Sequence, residues 1–190
     1  MFSNKKIADY VNNNFEATWK SVAPVPKVTI DFGGGRKIER TVYGNIATYV
    51  CTAGGYIVDI LPGIYQPDNY LQSLTSIKAV HRDAIARTNV SDFLQKYHFQ
   101  NTSLSVLEPA QEPGSFNSST HFQLLGKDTL NNEVLRRNKV HTMLAAANLV
   151  QPTQIYKKLY RDVLDVDIED PYLGMKSRLD KNYPFDDPNS

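Results

Sequence analysis

ATYVCTAGGYIVDILPG, residues 47–63, reads as two strands around a turn, and it holds the only cysteine of the chain. Ala47–Cys51 and Tyr56–Leu61 are rich in β-branched and aromatic types, which favour a pleated, half-buried surface. Gly54-Gly55 supplies the positive φ angles of a tight two-residue turn, and Pro62-Gly63 ends the second arm. With a side-chain period of two, Cys51 shares a face with Tyr49 and Ala53, while Ile46, Thr48 and Val50 take the other. Just upstream, KVTIDF (27–32) and RKIERTVY (36–43) flank Gly33-Gly34-Gly35. Val28, Ile30, Phe32 and Ile38 alternate with polar neighbours there, the pattern of a hairpin with one wet face.

Helical patterns surround the hairpins. Residues 3–13 form a short helix with Ser3 as N-cap and Ile7, Tyr10 and Val11 on one side. FEATWKSV (15–22) has strand composition, closed by the bend Ala23-Pro24-Val25-Pro26. Pro67 opens a helix whose stripe of Leu71, Leu74, Ile77, His81 and Ile85 should lie across the sheet made by the hairpins. SDFLQKYHF is a short amphipathic helix, and EPAQEPGSFNSST (108–120) is a loop by composition. Asp128 caps a long helix through Leu149 that buries Leu130, Val134, Leu144 and Ala145–Ala147. A last helix runs from Pro152 to Val163 with Ile155, Leu159 and Tyr160, followed by an acidic, irregular tail. The expected organisation is a first unit over 1–100, a linker over 101–127 and a helical extension over 128–190.

The chain has 190 residues, 41% hydrophobic and 22% charged, a globular composition with a net charge of +1. No broad field attracts nucleic acid or an anionic membrane. A lone cysteine excludes an internal disulfide and, with no signal-like or membrane-spanning run, makes the cytoplasm the expected compartment.

Each chemical motif has a structural counterpart. Cys51 is the sole candidate nucleophile, but no Lys, Arg or His lies near it in sequence to hold a thiolate, so it reads as a small apolar residue. HRD at 81–83 and DFG at 31–33 stand in the wrong order for a protein kinase, and Gly33–Gly35 lacks the Lys-Ser/Thr pair and following helix of a phosphate loop. His81, His98, His121 and His141 show no metal-ligand spacing, so no metal and no cofactor is expected. The acids from Asp162 to Asp170 do not fit a calcium loop; they read as a solvated face, or one paired with Arg136, Arg137 and Lys139. Lys157, Lys158 and Arg161 offer a modest phosphate-binding set, set against the acids that follow.

IADYVNNNF (7–15), GNIATYVCTAGGYIVDILPG (44–63) and PDNYLQSL (67–74), in that order, resemble the first helix, closing hairpin and last helix of the thioredoxin-like family. The likeness covers about residues 1–80. It implies an α/β (α+β) fold, thioredoxin-like but incomplete at its N-terminus, with a central sheet containing two hairpins and packed helices. The family's Cys-x-x-Cys is missing, as though the chain began after it, and Ala47 stands where the family places a cis-proline. DTLNNEVLRRNKVHTMLAAANL (128–149) and YRDVLDVDIEDPYLGM (160–175) are similar to the C-terminal extension of a bacterial group that shares the TIDFG and GNIATYVC segments. The resemblance therefore implies a redox-inactive protein-binding or scaffolding module whose partner is another protein. Two alternatives stand beside it: a thiol–disulfide oxidoreductase relative, truncated or using Cys51 with a histidine supplied by the fold, and a weak nucleic-acid binder through the C-terminal helices.

Overall fold

Asn4, one residue beyond the expected Ser3, caps the first helix, its side chain accepting from the Lys6 amide at 3.0 Å. This helix, α1 (Lys5–Asn14), puts Ile7 into the core. The computed structural model describes residues 3–24, 27–41, 46–102 and 133–174. The loop 108–120, His121, Asp128 and Leu130 lie outside the described residues, as do most of the expected linker and the tail beyond 174.

Residues 15–22 form no regular structure, and Trp19 is 87% exposed. Strand composition was not enough there, because no described strand offers this segment a ladder partner. The glycine-centred hairpin does form: β1 (Lys27–Asp31) pairs antiparallel with β2 (Lys37–Thr41), Ile30 opposite Ile38. Gly33, Gly34 and Gly35 all have positive φ, a run that side-chain-bearing residues would resist. β3 (Ala47–Cys51) and β4 (Ile57–Pro62) make the second hairpin. Only Gly55 of its glycine pair has positive φ, and the Thr52 amide bonds to Tyr56 O at 2.8 Å, so the turn is longer than two residues. The hairpins are separate two-stranded sheets, so among the described residues no single central sheet forms.

β4 is buried at every position, which makes β3–β4 the middle layer of a mixed α/β packing. On one face Val50, Val58 and Leu61 join Ile7, Tyr70, Leu74, Ile77 and Leu94 from α1, α2 (Pro67–Ile85) and α3 (Val90–Asn101). On the other, Ile57 and Ile60, with Tyr49 and Cys51 beside them, meet Val140, Leu144, Ile155 and Leu159. The latter come from α4, described over 133–145, and α5 (Pro152–Asp162). The expected alternation along β3 therefore holds, despite a bulge between Val50 and Cys51.

Pro67 takes the first turn of α2 as expected, but the buried stripe is Tyr70, Leu74, Ile77 and Ala84, and Ile85 is 59% exposed. Tyr70 sets the rotation: its ring is buried and its hydroxyl meets Thr48 Oγ1 of β3 at 3.0 Å. Asn89 caps α3 through the Asp92 amide. α4 turns Val140, His141 and Leu144 inward and leaves Val134 40% exposed; it ends before most of the alanine run. Just past its end, Gln95 Nε2 of α3 donates to Ala147 O at 2.9 Å. α5 starts at Pro152 with a capping box between Gln151 and Gln154 and buries Ile155, Leu159 and Tyr160 as expected. Past it, Leu164, Val166 and Leu173 pack with Tyr160, so the irregular segment is anchored. Among the described residues no helix is long and apolar enough to cross a membrane.

Candidate polar cleft over a buried ion-pair network

Asp59 stands in the middle of β4, between apolar neighbours, with no solvent exposure. A lone carboxylate there would be costly, and every polar contact around it serves to offset that cost. The Ile60 amide donates to Oδ1 at 2.7 Å. Arg137 of α4 closes a two-pronged pair, Nη1 to Oδ1 and Nη2 to Oδ2, each at 2.7 Å, and Nη1 also donates to Ile60 O. Tyr97 Oη approaches Oδ2 at 3.4 Å. Burial pushes the Asp59 carboxyl up, but the hydrogen bonds and charge of Arg137 outweigh it and hold the group below its ordinary value.

Two histidines extend the network. His98 of α3 lies against Val58 O through Nε2 at 3.1 Å and against His141 of α4 through Nδ1 at 2.9 Å. Arg137 Nη2 reaches His141 Nε2 at 3.1 Å. These contacts fix the tautomers, because a carbonyl only accepts and a guanidinium only donates. His98 must carry its proton on Nε2 and accept at Nδ1; His141 must accept at Nε2 and donate from Nδ1 to His98. Both rings are neutral in this arrangement. Burial lowers both pKa values, that of His141 to about 4.

Asp59, His98 and His141 each offer a ligand atom within 4.8 Å of the others, which makes them a candidate metal-holding group. The hydrogen bonds answer differently: Arg137 occupies both carboxylate oxygens and His141 Nε2, so a cation entering here would have to displace a guanidinium. Spacing along the chain gave no sign of this cluster, since its members come from one strand and two helices. The nearest signal was an Asp amid the apolar residues of YIVDIL, a polar group that a buried strand must pair.

Above the network lies a cleft of about 310 Å³, with walls from α2, α3 and α4. α2 contributes Asn69, Gln72 and Ser73, α3 Asn101, and α4 Glu133, Val134, Arg137, Asn138 and His141; Tyr65 completes the wall. The Tyr65 hydroxyl and Glu133 Oε1 are buried without a hydrogen-bond partner among the described residues. Asn69 Nδ2 reaches the other Glu133 oxygen at 3.4 Å. Burial drives the Tyr65 phenol well above its usual pKa, so it stays protonated and able to donate.

Cys51 lies away from these groups, at the end of β3 and half-buried against the α4–α5 side of the core. Burial raises its thiol pKa. Among the described residues, both buried histidines are engaged elsewhere, and His81 is only partly buried on α2. Of the two readings of the C-terminal acids the solvated face holds: they stay substantially exposed and pair within the C-terminal region, Asp162 with Lys158 and Arg161, Glu169 with Lys157, and not with Arg137. The same contacts engage the three cations of the supposed phosphate-binding set.

Comparison with protein-family models, with curated proteins and with solved structures finds no match to this chain.

Proposed function

We propose that this chain is a thioredoxin-like binding module that performs no thiol–disulfide exchange and takes its ligand in the cleft between α2, α3 and α4. The observation that carries this reading is the contrast between floor and wall. The floor, Arg137 and His141 backed by Asp59 and His98, spends its principal donors and acceptors internally, whereas Tyr65 and Glu133 higher on the wall keep buried polar atoms without a hydrogen-bond partner among the described residues. A saturated floor gives rigidity without a free base or nucleophile, and open polar atoms on a concave wall suit recognition. The one thiol supports the same side, being half-buried with a raised pKa.

Labelling with an aromatic disulfide reagent at neutral pH is the test. Cys51 should react roughly tenfold or more slowly in native protein than in denaturant, because its thiol is packed and protonated. Native labelling faster than in denaturant would mark an activated thiolate and end this reading.

A protein partner, the expectation from sequence, has one observation in its favour. Ile30, its cross-strand partner Ile38, and Phe32 are 45%, 38% and 59% exposed, so the β1–β2 hairpin shows an apolar strip to solvent.

A further inference from the structure

We infer that the cleft recognises a neutral polyhydroxylated molecule, a sugar of one or two rings; this rests on the cleft being the binding site. Charge selects the class first. Among the described residues Arg137 is the only cation lining the cleft, and its Nη hydrogens are directed at Asp59, Ile60 O and His141. A phosphate or carboxylate would therefore have to break a buried ion pair to gain a guanidinium, while also facing Glu133. A cationic ligand finds Glu133, but Arg137 stands one helical turn further along the same wall, and Arg136 acts electrostatically on Tyr65.

Hydroxyl groups match what remains. Among the described residues Glu133 Oε1 lacks a donor and the Tyr65 hydroxyl lacks a hydrogen-bond partner, and the amides of Asn69, Asn101 and Asn138 offer both polarities. A hydroxyl donates and accepts at once, so several on one ring satisfy a carboxylate, a phenol and carboxamides together. Tyr65 is 5% exposed, so its unpaired hydroxyl is a standing penalty that a bound hydroxyl would remove. The cleft, about 310 Å³, lies at the small end of ligand pockets.

The test is a titration of the full chain, followed by the side-chain amide signals of its asparagines in nitrogen-15 correlation spectra. The probes are glucose, galactose, N-acetylglucosamine, maltose and lactose at millimolar concentrations, with inorganic phosphate and putrescine as the anionic and cationic arms. Saturable shifts of the Asn69, Asn101 and Asn138 amides with at least one sugar, and none with phosphate or putrescine, are expected. Tyr65→Phe should then weaken that sugar about fivefold and Glu133→Gln about tenfold, the loss of one neutral and one charge-assisted hydrogen bond. Tyr65→Phe should melt no lower than the parent, since it removes a buried unsatisfied hydroxyl, whereas Glu133→Gln keeps a polar atom at each terminal position and tests the charge alone. Silence with all five sugars, saturation by phosphate or putrescine, or unaltered sugar affinity in both variants overturns the inference. Slow Cys51 labelling alongside such a result would leave the non-redox reading standing and remove only the ligand class.

Discussion

His141 couples this fold to pH. Its neutral form is the one that accepts from Arg137 and donates to His98, and its folded pKa lies near 4 against an ordinary 6.5. The unfolded chain takes up a proton as pH falls through 6.5, whereas the folded chain does not until pH approaches 4. Stability is thus fully present above 6.5 and declines between 6.5 and 4, by roughly 3 kcal/mol from this residue, with His98 adding in the same direction. Urea melts at pH 7 and pH 4.5 measure the slope, and His141→Gln should flatten it. Arg137→Ala should cost about 3–5 kcal/mol, because it strands Asp59 unpaired in β4. Replacing both partners, Asp59→Leu with Arg137→Met, should recover most of that loss in chemical denaturation. The partners were not legible from the neighbours of each residue: Asp59 and Arg137 lie 78 positions apart, and of the two readings of the C-terminal acids the one that paired them with Arg137 failed while the solvated face held.

Among the elements, the two hairpins look alike in sequence and differ in energy. Both turn on glycine, but β1–β2 alternates apolar and polar residues whereas β4 is apolar at every position except Asp59. β4 is covered on both faces, whereas Ile30, Phe32 and Ile38 remain substantially exposed on β1–β2. Ile60→Ala should cost about 2–5 kcal/mol through the cavity it leaves. Ile30→Thr should change stability by less than about 0.5 kcal/mol. Hydrogen exchange should rank the same way, with β4 amides among the slowest and β1–β2 amides among the fastest of the strands. Periodicity located the hairpins and the helices opened by Pro67 and Pro152, because local steric and capping rules act there. It placed Leu74 and Ile77 on the buried face of α2 but missed Tyr70 and Ala84, since Tyr70 and its bond to Thr48 fix the rotation.

For the molecule as a whole, α4 and α5 share a core with β3 and β4, through Val140, Leu144, Ile155 and Leu159 against Ile57 and Ile60. The Ile57 amide also bonds to Val150 O at 2.9 Å, tying the α4–α5 connection to the strand. The helices should therefore unfold with the hairpin in one transition by far-ultraviolet circular dichroism. Trp19, the only tryptophan, is 87% exposed, so its emission maximum should lie at solvent-like wavelengths in the folded chain and barely move across that transition. A large blue-shifted native emission would contradict the exposed placement of residues 15–22.

The sequence by itself determined where the glycine turns fall, the helix starts at Pro67 and Pro152 and the alternating faces of β3, because glycine torsion, proline geometry and side-chain period are properties of neighbouring residues. Only the tertiary structure decided which groups meet. Asp59, His98, Arg137 and His141 come from β4, α3 and α4, and each is tolerable in the interior only because the others supply its hydrogen bonds. The same holds for the cleft, whose polar wall exists only once α2, α3 and α4 have converged on the strand that carries Asp59.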